Sequence, residues 1–169
     1  MKKAFLFLLS ALTLTMTLTA CGGETAEPAA EVDLQAFYQG LTETYSADFN
    51  WNDYLVDIED EMLETYYPGL SAIPAKQLVA KMPMMSAAVN EFVFMQCETE
   101  EDAARAAEIF QSRIDYQAGD ENNPGGAWYP ESIEAWKKAA VIQHGSYVAL
   151  IASTDYQDGV AEQFNALFA

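Results

Sequence analysis

The sequence predicts an α+β fold: a three-stranded, mainly antiparallel sheet covered on one face by helices, behind a leader that is removed. Three observations predict it. Residues 88–97 are apolar on both alternating faces, with Phe92 and Phe94 on one and Val93 and Met95 on the other. That is the pattern of a strand buried on both sides, and so a central one. Two further β-rich runs flank a two-residue turn at His144-Gly145, which reads as a hairpin. The stretches around them carry helical spacing and helix-start residues, so the main elements run α-α-β-α-β-β-α.

The first segment is not part of the fold. Lys2 and Lys3 precede an apolar run from Ala4 to Leu18, shorter than the roughly 20 residues of a spanning helix and right for a signal sequence. Leu18-Thr19-Ala20-Cys21 closes it in the manner of a bacterial lipoprotein signal, with Cys21 becoming the acylated first residue. The expected organisation is a signal peptide at 1–20, a small, polar, flexible tether at 21–31, and one α+β domain at 32–169. Two or more acyl chains, at about 0.8 kcal/mol per buried CH₂, hold a protein stably. The expected location is the cell membrane, lipid-anchored and facing outside the cytoplasm.

Within the domain, Leu34, Phe37, Tyr38, Leu41 and Tyr45 recur at helical spacing, predicting a helix over 32–46 despite Gly40. A short helix near 59–66 ends at Pro68-Gly69, and a helical turn is expected near 74–80. After the 88–97 strand, Thr99 and Asp102 form a capping box, and Glu100, Glu101 and Asp102 suit the positive end of a helix. That helix runs to about Tyr116, its buried stripe made of Ala103, Ala106, Ala107, Phe110 and Ile114. Residues 119–129 form a loop centred on Asn122-Asn123-Pro124-Gly125-Gly126, and Pro130 to Lys138 a short helix. The hairpin strands are 139–143 and 146–153. Thr154 or Asp155 caps a last helix whose apolar face is Val160, Ala161, Phe164, Leu167 and Phe168. A right-handed crossover from the first strand places the third between the other two, antiparallel to both.

The chain carries 26 acids against 8 Lys and Arg, a formal charge of −18. Cleavage would remove two lysines and no acid, leaving the mature chain more acidic still. This argues against nucleic acid, which needs clustered bases, and against docking on anionic lipid. It leaves cations as candidate partners, beside a plain role in solubility. Of the two cysteines, lipidation of Cys21 leaves Cys97 as the single thiol, so no internal disulfide is expected, and Cys97 reads as a small core residue.

No catalytic set assembles in the sequence. His144 is the only histidine and sits at the hairpin tip, where a turn role is expected. There is no zinc helix, nucleophile elbow, phosphate loop or dinucleotide fingerprint. The acids Asp57, Glu59, Asp60, Glu61 and Glu64 admit a glycosidase pair such as Asp57 with Glu61, or a cation site, but read first as a solvated face. Met82-Pro83-Met84-Met85 offers soft donors to copper, against a plainer reading as a packing segment before the strand. Trp128 and Tyr129, beside two glycines on a long loop, are the candidate ligand-binding pair, since exposed aromatics stack on sugars or grip peptides.

Lys81-Met82-Pro83-Met84-Met85, the strand Glu91 to Gln96, Tyr129-Pro130-Glu131, and Gly145-Ser146-Tyr147-Val148 with Ile151 stand in an order that resembles the domain of unknown function family 4358. The resemblance covers roughly Leu34 to Phe168. It implies a lipoprotein, mostly found in Gram-positive, clostridia-like bacteria, and it carries no assigned activity or site residues. The functional expectation is a membrane-anchored extracytoplasmic binding or interaction module, not an enzyme and without cofactor or metal. Its partners are the membrane through Cys21 and an envelope protein or cell-wall ligand. The rival expectations are a carbohydrate-active hydrolase with paired carboxylates and a cation-binding lipoprotein.

Overall fold

A computed structural model describes residues 31–169, apart from 46, 48, 49 and 86. The leader, the lipid attachment at Cys21 and the tether through residue 30 lie outside the described residues. No helix among the described residues is long and apolar enough to cross a membrane.

The fold is built around β3 (Asn90–Cys97), all of whose residues are buried. Its side chains alternate: Phe92 and Phe94 enter one core cluster, while Val93, Met95 and Cys97 enter the other. A strand dressed this way needs a neighbour on each edge and a helical layer on each face. Both are present. On one edge β5 (Tyr147–Ser153) pairs with β3, and β4 (Ala140–His144) pairs with β5. On the other edge lies β2 (Ala75–Pro83), followed by the short β1 (Leu55–Asp57). The order is β1-β2-β3-β5-β4, with every pair antiparallel.

Two expectations are corrected here. The sheet has five strands, not three, because residues 75–83 form a strand rather than a helical turn, and residues 55–57 extend it. Ala75, Lys76 and Gln77 favour helix locally; pairing with the fully buried β3 overrides that preference. The three expected strands keep their expected order, with β5 between β3 and β4.

Helices cover both faces rather than one. α3 (Asp60–Tyr66), α4 (Glu100–Ala118) and α5 (Pro130–Lys138) supply Leu63, Phe110, Ile114 and Trp136 to the cluster that holds Val93. α1 (Leu34–Tyr45), α2 (Trp51–Tyr54) and α6 (Gln157–Ala166) supply Leu34, Trp51 and Phe164 to the cluster that holds Phe92. The reason is β3 itself. Leaving either row of its large side chains in water forfeits about 1.5–3 kcal/mol per residue. On the α1 side Trp51 stacks on Phe92, ring centroids 4.7 Å apart, and on Tyr45 at 5.4 Å.

The capping box is present: Thr99 Oγ1 accepts from Asp102 N at 3.1 Å. The hairpin turn is shifted by one residue. Gly145 takes φ 56 and Gly145-Ser146 form the turn, because the left-handed position demands the glycine. His144 is therefore the last residue of β4, not a turn residue. Its Nε2 lies 2.7 Å from Asn165 Oδ1 and its ring stacks on Phe168 at 4.7 Å, so it holds the C-terminal helix to the sheet. The last helix is not capped by Thr154 or Asp155. Ser153 Oγ instead accepts from the amides of Asp155 and Tyr156 just ahead of it.

The domain begins on the α1 face. Val32 packs against that cluster, its amide donates to Tyr147 Oη at 3.0 Å, and its carbonyl accepts from Gln77 Nε2 at 2.8 Å.

Candidate ligand cleft

The opposite face carries a cleft of about 1020 Å³. It opens where the end of β2, the start of β3, the last turns of α4 and the start of α5 come together. Strand parity decides what lies at its floor. Glu91 has the same parity as Val93 and Met95, so its carboxylate points at α4. On α4 the buried stripe runs Ala103, Ala106, Phe110, and then Arg113 with Ile114. The two charged side chains are thus aimed at each other from two apolar faces.

They meet in a fork. Arg113 Nε donates to Glu91 Oε1 and Nη2 to Oε2, both at 2.9 Å, and the side chains are only 6% and 4% exposed. Tyr67, fully buried at the end of α3, donates its hydroxyl to Glu91 Oε1. Aromatic rings enclose the guanidinium: Tyr66 at 4.4 Å, Trp136 at 5.4 Å and Tyr67 at 5.9 Å from its centre. Burial works against the charge on Arg113, but the hydrogen bonds and charge of Glu91 outweigh it and raise its pKa above the ordinary value. Burial, followed by the charge and hydrogen bond of Glu91, pushes Tyr67 well above the ordinary tyrosine range and keeps its hydroxyl a donor.

The mouth is aromatic. Trp128 is 89% exposed, Tyr116 66% and Tyr129 58%, and all three line the cleft. The 119–129 loop holds the candidate pair there by folding back on α4. Gly126 N donates to Tyr116 O at 2.8 Å and Ala127 N to Gln117 O at 3.1 Å. Asp120 fixes the bend by accepting from the amides of Asn122 and Asn123 at 2.7 and 2.8 Å. The return requires two glycines: a Cβ on Gly119 would strike Gly125 N, and one on Gly125 would strike Gln117 O.

The other sequence candidates lie elsewhere. Asp57 pairs with Lys81 at 2.6 Å on the β1–β2 edge, and neither it nor Glu61 lines the cleft. Asp60 and Glu61 occupy the first turn of α3, while Glu64 accepts from Gly69 N and Ser71 Oγ at 3.0 and 2.6 Å. Among the described residues, no three His, Cys, Asp or Glu side chains gather into a metal-sized group. Of the methionine segment, Met82 and Pro83 end β2 and line the cleft, Met82 packing against the core cluster that holds Val93, while Met84 and Met85 are exposed just beyond. Cys97 is buried, and burial pushes its thiol up to about 11.

Glu91, Arg113, Tyr67 and Trp136 were not singled out by sequence reasoning. The signal was one acid at the head of a doubly apolar strand and one base three residues after Phe110 on an apolar helix face. Opposite charges on two faces that must pack together point to an internal pair.

The model of the family described as Domain of unknown function (DUF4358) matches residues 47–153, well over half of the chain. The match spans every residue of the cleft. No curated protein and no solved structure matches the chain.

Proposed function

The chain belongs to the DUF4358 family, and on that premise we propose that it is a lipid-anchored extracytoplasmic binding module that takes a small organic ligand into the cleft without chemical turnover. The observation that carries the reading is the cleft's construction. A rigid floor of compensated charge sits beneath a mouth of ring faces that no packing role inside the domain explains. Ligand sites combine such apolar and aromatic walls with a few fixed polar groups. Among the described residues that line the cleft, Glu91 has no second carboxylate beside it to make the acid pair of a glycosidase. The leader and the Leu18-Thr19-Ala20-Cys21 segment support anchorage at the outer leaflet.

The test uses the full chain in lipid nanodiscs. Small-molecule fractions of a cell-envelope extract are titrated against it while tryptophan emission is followed. At least one fraction is expected to shift the emission, and Trp128→Ala to reduce the response. Emission that no fraction changes would overturn the reading.

A further inference from the structure

We infer that the ligand of this cleft is an uncharged oligosaccharide. The inference deepens the proposed binding role and rests on it. Three observations carry it.

The first is charge. The protein is strongly acidic, with 26 Asp and Glu against 8 Lys and Arg. Yet among the described residues the cleft is lined by one acid and one base, Glu91 and Arg113, and these are bonded to each other. The cleft is a neutral patch in an acidic surface. A cationic ligand finds no free carboxylate in it. An anionic one meets an arginine already neutralised and a repulsive surround. An uncharged ligand has no charge to desolvate or to be repelled, and needs only its hydroxyls matched.

The second is shape and surface. Five aromatic side chains line the cleft: Tyr66, Tyr116, Trp128, Tyr129 and Trp136. The three at the mouth present open rings to solvent. A pyranose has one face of C–H groups that lies flat on such a ring and an edge of hydroxyls that does not. The volume exceeds what a single sugar ring needs and suits a short chain of them.

The third is the polar inventory. Hydroxyl-rich ligands need planar groups with donors and acceptors held in place. Arg113 lines the cleft as a planar guanidinium held in place by its Nε and Nη2 bonds to Glu91. Asn90, whose Oδ1 is tied to Ser153 Oγ at 2.7 Å, also lines the cleft, as does Gln117 at the rim. Buried fixed donors of this kind reject ligands that lack matching acceptors.

Calorimetric titration of the full chain in nanodiscs tests the inference with three uncharged probes, chitotetraose, cellotetraose and maltotetraose. Two charged controls accompany them, the glucosamine tetramer and tetragalacturonate. At least one uncharged probe is expected to bind with little dependence on salt, since no net charge is engaged. Trp128→Ala is expected to weaken it about tenfold by removing one stacked face. Leu78→Ala, exposed on β2 away from the cleft, is expected to leave it unchanged. Preference for the cationic tetramer, or equal affinity in Trp128→Ala, would overturn the inference by assigning binding to the acidic surface. Silence from all five sugars, with an envelope fraction still shifting tryptophan emission, would overturn the sugar class and leave the binding role standing. Silence from both would remove both.

Discussion

Replacing Arg113 by methionine is expected to cost the fold about 4 kcal/mol. Methionine keeps most of the aliphatic stem, so the loss is one of charge and hydrogen bonds rather than volume. Two 2.9 Å bonds to the carboxylate disappear, and Glu91, at 4% exposure, keeps the Tyr67 hydroxyl as its remaining partner in the fork. Removing one member of a buried ion pair typically costs about 3–5 kcal/mol because the other charge stays buried and unpaired. For a domain of this size each kcal/mol moves Tm by roughly 3 °C, so a fall of roughly 12 °C is expected. The companion variant is Glu91→Gln with Arg113→Met. Glutamine still accepts from Tyr67, and no charge is left stranded, so stability should return to within about 1 kcal/mol of the parent. Urea unfolding followed by tryptophan emission, with scanning calorimetry beside it, measures both. A single variant costing less than about 1 kcal/mol, or a double as unstable as the single, would refute the account of the floor as a compensated pair.

Thr99→Ala removes the α4 cap and is expected to lower stability by about 1 kcal/mol, read from the shift in urea midpoint. The buried Cys97 thiol, held up at about 11, should resist thiol reagents at neutral pH and react at the rate of unfolding; rapid labelling of native protein would contradict its placement. Alkaline pH should destabilise the domain. Burial and the charge of Asp57 raise Tyr38 to about 12, and burial with Glu91 raises Tyr67 well above the ordinary value of 10.0. Both values lie above those of the unfolded chain. The linked stability is therefore intact below pH 10 and declines as pH climbs toward 12, where the unfolded chain sheds protons the folded one retains. A urea midpoint that stays flat across that window would refute it. Mass spectrometry of the chain from its native membranes should find residues 1–20 removed and Cys21 acylated; a bare Cys21 or a cut elsewhere would end the anchoring proposal.

What was legible in the sequence was what local chemistry determines. Thr99 and Asp102 marked the start of α4, Pro130 began α5, and the glycine after His144 marked the hairpin. What was missed depends on partners distant along the chain. Residues 74–80 read as a helical turn, and 75–83 became a strand because β3 needed a second neighbour. The warning was present in β3. A strand apolar on both faces cannot lie at an edge under a single helical layer, as the three-stranded, one-faced arrangement required. Trp128 and Tyr129 stood out because exposed aromatics are conspicuous in a loop. Glu91 and Arg113 did not, because a charge in an apolar stripe acquires meaning only when its counterpart on the facing element is known.

The Val32 backbone is bonded to the side chains of Tyr147 and Gln77, on the α1 face. The cleft opens on the other face, at the end of the strands marked by the Asn90–Ser153 pair rather than by Gln96–Tyr147. Six residue steps along the strand separate those pairs, about 20 Å. Mechanical load arriving through residue 31 is thus taken up by hydrogen bonds that share no atom with the cleft floor. On the proposed anchorage and binding role, a leash pulled taut and a ligand held fast need not compete.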